Sequence, residues 1–220
     1  MEKESACLRY KKEVREASLW LSNQGYFGSL RGAGGNVSMR IDEKTLAITP
    51  SGVPYREITD DDICIVGFDL TELEVKSGRR PSMESGMHST IYQKRSDVNA
   101  VVHTHQMYAS VFALIHSPIP ALFDEVSLSL GPVIDIVPYA FSGSPELASL
   151  VGRTVAGGAN ACIIQNHGIV AMGKTLDAAM LHAELLEKVA QIYALALSTG
   201  RSVTTLPESS IVKISQMREG

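Results

Sequence analysis

A chain of 220 residues, 45% of them hydrophobic, suffices for one large domain or two small ones around a sizeable core and reads as an ordinary soluble globule. Lys and Arg total 20 against 24 Asp and Glu, a formal net charge of -4, and no basic run forms an arm that could neutralise phosphates, which argues against nucleic acid as a partner. Three cysteines (Cys7, Cys64, Cys162) without a CxxC pair, an N-terminus that alternates charge with apolar residues, and no long apolar run together predict a reducing, cytoplasmic setting without disulfides, export leader or membrane span.

Apolar residues recur at helical spacing over 4–21 (Leu8, Val14, Ala17, Leu19, Leu21), which predicts an amphipathic surface helix ended by Asn23-Gln24-Gly25. The glycine-rich stretch 28–35, with Arg31 in it, reads as a flexible loop leading into Asn36. Short β-like runs follow at 37–41, 46–49, 63–66 and 73–75, broken by Thr49-Pro50-Ser51-Gly52. After Pro81 a helix is predicted over 83–94 with Ser82 as its N-cap, then a strand over 100–104 and a helix over 107–115. Residues 134–138 read as a strand, and Pro145 suits the first turn of a helix reaching 155. Residues 161–165 and 169–172 read as hairpin partners, and 175–197 as a long packed helix. A polar, peripheral tail begins at about 199. The expectation is a single α/β domain over 1–220, with a central, largely antiparallel mixed sheet flanked by helices.

On a strand ending in His103-Thr104-His105, both imidazoles fall on one face and Thr104 on the other. Such a pair chelates a metal or simply packs, and spacing alone does not decide. His167, in Gln165-Asn166-His167-Gly168, sits where a buried strand turns sharply. Three neutral nitrogen ligands suit zinc, whose catalytic sites keep one position open. Glu84 follows a proline turn at a helix start, where the helix dipole favours a carboxylate; it is the candidate acid/base group or only a helix-start residue. Gly34-Gly35-Asn36 and Thr49-Pro50-Ser51-Gly52 offer backbone N–H groups, an amide and a hydroxyl, the donors a phosphate needs, and Ser82 adds another; each is also a common turn.

In this order, Gly-Asn-Val-Ser at 35–38, Thr-Pro-Ser-Gly at 49–52, Pro-Ser-x-Glu at 81–84, His-x-His at 103–105 and Gln-Asn-His-Gly at 165–168 resemble the class II aldolase/adducin family, over roughly residues 5–197. The resemblance implies that family's fold and a zinc ion, or another divalent metal such as Mn2+ or Co2+, on His103, His105 and His167, with Glu84 at the metal as the group that moves the proton. It places Gly35, Asn36, Ser51, Gly52 and Ser82 around a substrate phosphate. The implied activity is that of a lyase: an aldolase cleaving a ketose 1-phosphate to dihydroxyacetone phosphate and a short aldehyde through a metal-stabilised enediolate, in a homotetramer with sites between subunits. The alternatives are a related decarboxylase, epimerase or dehydratase acting on a sugar or sugar-acid phosphate, and a non-catalytic adducin-like binding module. Glu84, where the related epimerases usually carry Asp, and the complete histidine set favour the aldolase. Three departures stand out: Met83 replaces a serine of the phosphate segment, Phe123-Asp124-Glu125 occupies the stretch of a catalytic tyrosine, and no aromatic residue follows Tyr193. Asp124 is therefore the candidate for proton transfer to the aldehyde, with Glu125 and Tyr139 as alternatives, and Arg31 is a candidate for reaching the phosphate.

Overall fold

The structure, a computed structural model, describes residues 2–29, 32 and 34–219; Arg31, and with it the expected phosphate contact, lies outside the described residues. In chain order the elements are α1 (Glu2–Asn23), β1 (Asn36–Arg40), β2 (Thr45–Ile48), β3 (Cys64–Gly67), β4 (Glu72–Glu74), α2 (Ser85–Lys94), β5 (Ala100–Thr104), α3 (Met107–Ile115), α4 (Asp124–Leu130), β6 (Ile136–Val137), α5 (Pro145–Val155), β7 (Ala161–Ile164), β8 (Ile169–Gly173), α6 (Leu176–Ser198) and α7 (Glu208–Glu219). The strands form one eight-stranded sheet in the order β4-β3-β2-β1-β5-β8-β7-β6. Among the described residues only the edge pair β6–β7 is parallel.

Alternation along the strands divides their side chains between two cores. Val37, Val102, Ile169 and Ala171 pack with Val14 and Leu21 of α1, Phe112 of α3 and Leu186 of α6. On the opposite face Ile48, Val101, Val170 and Met172 pack with Met87 and Ile91 of α2 and Leu147 and Val151 of α5. The sheet is thus covered on both sides, which is why its central strands read as unbroken apolar runs. Asn36, Ser38 and His103 are buried polar residues on the α2 side, and they mark where the packing gives way to chemistry.

Most predicted elements form within a residue or two of the expected bounds. The expected cap of α2 is corrected: the helix begins at Ser85, with Glu84 in the flanking position, and Ser82 caps no helix. Its Oγ instead accepts the Glu84 N–H at 3.2 Å. The cause is a bridge between Pro50 and Pro81, continued by the Ser82 N–H donating to the Thr49 carbonyl at 3.1 Å, which keeps residues 81–82 extended against the 49–51 segment. The strand expected over 134–138 is confined to Ile136–Val137, while Ile134 pairs with Ile119 in an isolated bridge. α4 and α7 were not expected. Within the tail, α7 docks through buried Ile214, and Arg218 donates to the carbonyls of Leu128 and Gly158. Among the described residues no helix is long and apolar enough to cross a membrane.

Candidate active site

β5 lies between β1 and β8, antiparallel to both, and delivers His103 at its end and His105 one step beyond it. Both rings fall on one side, with centroids 4.8 Å apart. His167 comes from the turn between β7 and β8. There Asn166 takes a left-handed φ of 55°, a region asparagine tolerates, and the Ile164 N–H closes the turn on the Gly168 carbonyl at 2.7 Å. The His167 ring lies 4.7 Å from that of His103 and 5.2 Å from that of His105.

One ligand nitrogen from each of the three lies within 4.8 Å of the others. His103 Nε2 and His105 Nε2 are 3.0 Å apart. Two nitrogens on a tetrahedral zinc at about 2.0–2.1 Å would stand roughly 3.3 Å apart, so the spacing fits an ion. The tautomer fits as well. His103 Nδ1–H donates to the Ile169 carbonyl at 2.8 Å, which leaves Nε2 free to ligate, the usual arrangement of a metal-binding histidine.

Gly168 is what lets these rings approach. A Cβ there would lie 2.4 Å from the Thr104 carbonyl oxygen, 2.6 Å from His105 Cδ2 and 3.2 Å from His103 Cε1. Gly168→Ala must therefore displace two of the three imidazoles. Metal affinity, measured by competition with a chelator, is expected to fall by at least about tenfold while the fold persists, in line with the cost of disturbing groups that orient ligands.

Glu84 is almost fully buried against this cluster. Its Oε2 lies 3.1 Å from His103 Nε2 and accepts the Asn36 amide at 2.8 Å. Its Oε1 lies 3.4 Å from His167 Nε2 and accepts the Ser142 hydroxyl at 3.0 Å. Burial opposes charge on this carboxyl, but the neighbouring His103 and His167 and the Asn36 bond outweigh it, holding the group well below the usual carboxylate range. Burial likewise opposes charge on His103, and Glu84 with the Ile169 carbonyl reverses it, so His103 is shifted up. Burial, then the charge of His103, pushes His105 down to about 3, and burial first also lowers His167.

The other expected residues fall into two groups. Gly35 (φ 72°) and Gly52 (φ 70°) both take the left-handed backbone that favours glycine, and the Gly35 carbonyl accepts the Tyr55 hydroxyl at 2.7 Å. The Ser51 N–H donates to the Arg80 carbonyl at 2.8 Å, which ties its loop to the segment carrying Ser82. Asn36 contacts Glu84 directly. Asp124, by contrast, is exposed in the first turn of α4, where it and Glu125 complement the helix dipole, and Tyr139 is exposed too. Ser142 was missed. In the sequence it is one of the turn residues Ser142-Gly143-Ser144-Pro145, and only the fold brings it to Glu84: Gly143 packs against Met83, where a Cβ would meet the Met83 carbonyl at 2.9 Å.

Also behind the cluster is His88, fully buried, whose pKa burial pushes down to about 3. An unfolded chain binds a proton there near pH 6.5, whereas the folded chain keeps the ring neutral. This contribution to stability is complete above about pH 6.5 and declines as pH falls toward 3, by up to roughly 1.4 kcal/mol per pH unit. The urea midpoint of the metal-free protein is expected to drop between pH 7 and pH 5, and less steeply in His88→Gln. Equal slopes would contradict it.

Residues 12–194 match the family described as Class II Aldolase and Adducin N-terminal domain. The chain belongs to this family. It is 33% identical over 187 residues to an L-fuculose phosphate aldolase of Escherichia coli O6:H1, covering 85% of each chain. A 5-deoxy-D-ribulose 1-phosphate aldolase of Bacillus thuringiensis is 34% identical over 194 residues, covering 88% of this chain and 89% of the relative. A solved L-fuculose 1-phosphate aldolase superposes with a TM-score of 0.87 at 30% identity, over 96% of this chain and 97% of that one. As a class II aldolase the protein is an enzyme of the lyase kind, and metal dependence accords with its histidine cluster.

Proposed function

We propose that this class II aldolase is zinc-dependent and cleaves a ketose 1-phosphate, of the L-fuculose or 5-deoxyribulose kind, to dihydroxyacetone phosphate and a short aldehyde. One observation carries the reading: a buried carboxylate, Glu84, held between two of three convergent imidazoles. His103, His105 and His167 would hold the ion, with Glu84 beside it. When bound, the ion supplies Lewis-acid polarisation of the substrate's carbonyl and hydroxyl oxygens. Glu84, ionised at neutral pH, carries the proton: as a base it takes one from C3 in synthesis, and as an acid it returns one to C3 once the C3–C4 bond has broken. Gly35, Asn36, Ser51, Gly52 and Ser82 surround the phosphate, and hydrogen bonding between their loops supports that assignment.

The site is completed between subunits of a homo-oligomer, a tetramer by family resemblance. α3 supports this with an exposed apolar stripe of Met107, Val111, Leu114 and Ile115. Asp124, exposed on α4, is the candidate to protonate the aldehyde oxygen from a neighbouring subunit. Free Cys7, Cys64 and Cys162 accord with a cytoplasmic location.

A coupled assay for dihydroxyacetone phosphate across a panel of ketose 1-phosphates, with and without chelator, tests the reading. Chelator-sensitive release from at least one substrate is expected. No release from any of them by the metal-loaded protein would overturn the aldolase assignment.

A further inference from the structure

Glu84, His88 and Tyr92 stand at i, i+4 and i+8, along one face of α2 continued into its flanking residue Glu84. That face meets Asn36 and Ser38, which stand at i and i+2 on one face of β1. The five side chains form an unbroken line of hydrogen bonds. Tyr92 OH and Ser38 Oγ are 2.7 Å apart, Ser38 Oγ and His88 Nδ1 2.6 Å, His88 Nε2 and Asn36 Oδ1 2.5 Å, and Asn36 Nδ2 and Glu84 Oε2 2.8 Å. All five residues are buried.

The chemistry of the last member sets the direction of the line. A carboxylate only accepts, so Asn36 must turn its NH2 toward Glu84 and its carbonyl toward His88. His88 must then carry its proton on Nε2 and accept at Nδ1 from the Ser38 hydroxyl, which accepts in turn from Tyr92. With the opposite tautomer, two acceptors would face each other across the 2.5 Å contact.

We infer that His88 is a positioning residue: by donating from Nε2 it locks the Asn36 amide in one orientation, and through Asn36 it fixes where the Glu84 carboxylate sits. Its two ring nitrogens bond Ser38 and Asn36, so it acts on Glu84 through Asn36. Ser38 and Tyr92 complete the line by donating toward Nδ1. The kinetic consequence rests on the aldolase reading, whereas the orientation of Asn36 does not.

The experiment compares zinc-loaded wild type, His88→Leu, His88→Gln and Ser38→Ala. In the wild type, NMR with 15N-labelled histidine and asparagine is expected to show His88 as the Nε2–H tautomer at neutral pH and one exchange-protected Asn36 amide proton. In His88→Leu that protection is lost, and kcat falls by about 10–100-fold with KM and metal content nearly unchanged, as for other groups that orient catalytic residues. His88→Gln, whose amide nitrogen can occupy the place of Nε2, restores most of kcat. General loosening of the core would not give that pattern of rescue. An Nδ1–H or doubly protonated His88, or His88→Leu with the Asn36 amide still protected, overturns the inference, as does His88→Leu at wild-type kcat. If His88→Leu does not fold, the wild type, His88→Gln and Ser38→Ala decide: the Nε2–H tautomer kept in Ser38→Ala and a protected Asn36 amide in His88→Gln support the inference, and an Nδ1–H tautomer in the wild type or an unprotected Asn36 amide in His88→Gln overturns it. If the wild type releases no dihydroxyacetone phosphate from any ketose 1-phosphate, the aldolase reading falls and the NMR results still decide the role of His88.

Discussion

Glu84→Gln is expected to keep its bound metal and to lose turnover by about 10²–10⁴-fold, the range attributed to a positioned acid or base. The substitution is nearly isosteric: its carbonyl oxygen can still accept the Asn36 amide, and its NH2, in place of Oε1, can donate to the Ser142 hydroxyl oxygen, which turns from donor to acceptor. What disappears is the negative charge beside His103 and His167, and with it the capacity to carry a proton. Metal analysis together with the dihydroxyacetone phosphate assay measures both halves. A variant that loses metal and activity in parallel would make Glu84 chiefly a ligand, and one with near-normal turnover would remove it as the proton carrier.

His167→Ala is expected to do the reverse, losing the metal first and activity as a result. His103 and His105 alone leave two nitrogens, one fewer than the three protein ligands of a catalytic zinc site. The loss of affinity should exceed the roughly tenfold to 100-fold caused by disturbing supporting groups, since a ligand itself is removed. Chelator competition and metal content check this. Full zinc occupancy and full activity in His167→Ala would show the ligand assignment to be wrong. Side by side, the two variants separate holding the ion from moving the proton.

The elements that were legible in sequence are those whose burial leaves a pattern. β5, β7 and β8 are covered on both faces and read as apolar runs, and α5 announces itself with Ser144 accepting the Leu147 N–H and Pro145 in the first turn. α4 has seven residues and opens with Asp124 and Glu125, so its charges read as a solvated loop or as chemistry. α7 buries Ile214 alone, while its other apolar residues, Ile211, Val212 and Met217, stay partly or largely exposed, so no buried face registers in the sequence.

For the site, residue types and short motifs were enough to nominate the histidines and Glu84, and the family resemblance supplied their convergence. Local sequence could not. Asn36 and Glu84 meet across 48 positions, and Ser142 reaches Glu84 across 58. The Glu84–His88–Tyr92 stripe was present in the sequence as a helical repeat, but a polar stripe on a helix usually faces solvent. Its meaning depends on Asn36 and Ser38 lying opposite, a fact of strand placement. Ser82 was misjudged for a similar reason, since a cap follows from local sequence only when no neighbouring segment takes the backbone first.

The carbonyl that orients His103 belongs to Ile169, 66 positions further along, and it comes into place only when β8 pairs with β5. Neither isolated segment of the chain can therefore offer the ion a preformed seat. A metal ion bound there should be captured late, after the slow long-range pairings are made, and so should leave the refolding rate unchanged while slowing unfolding. In a cell the metal would then act less as a nucleus for folding than as a latch, lengthening the life of molecules that have already reached the native state.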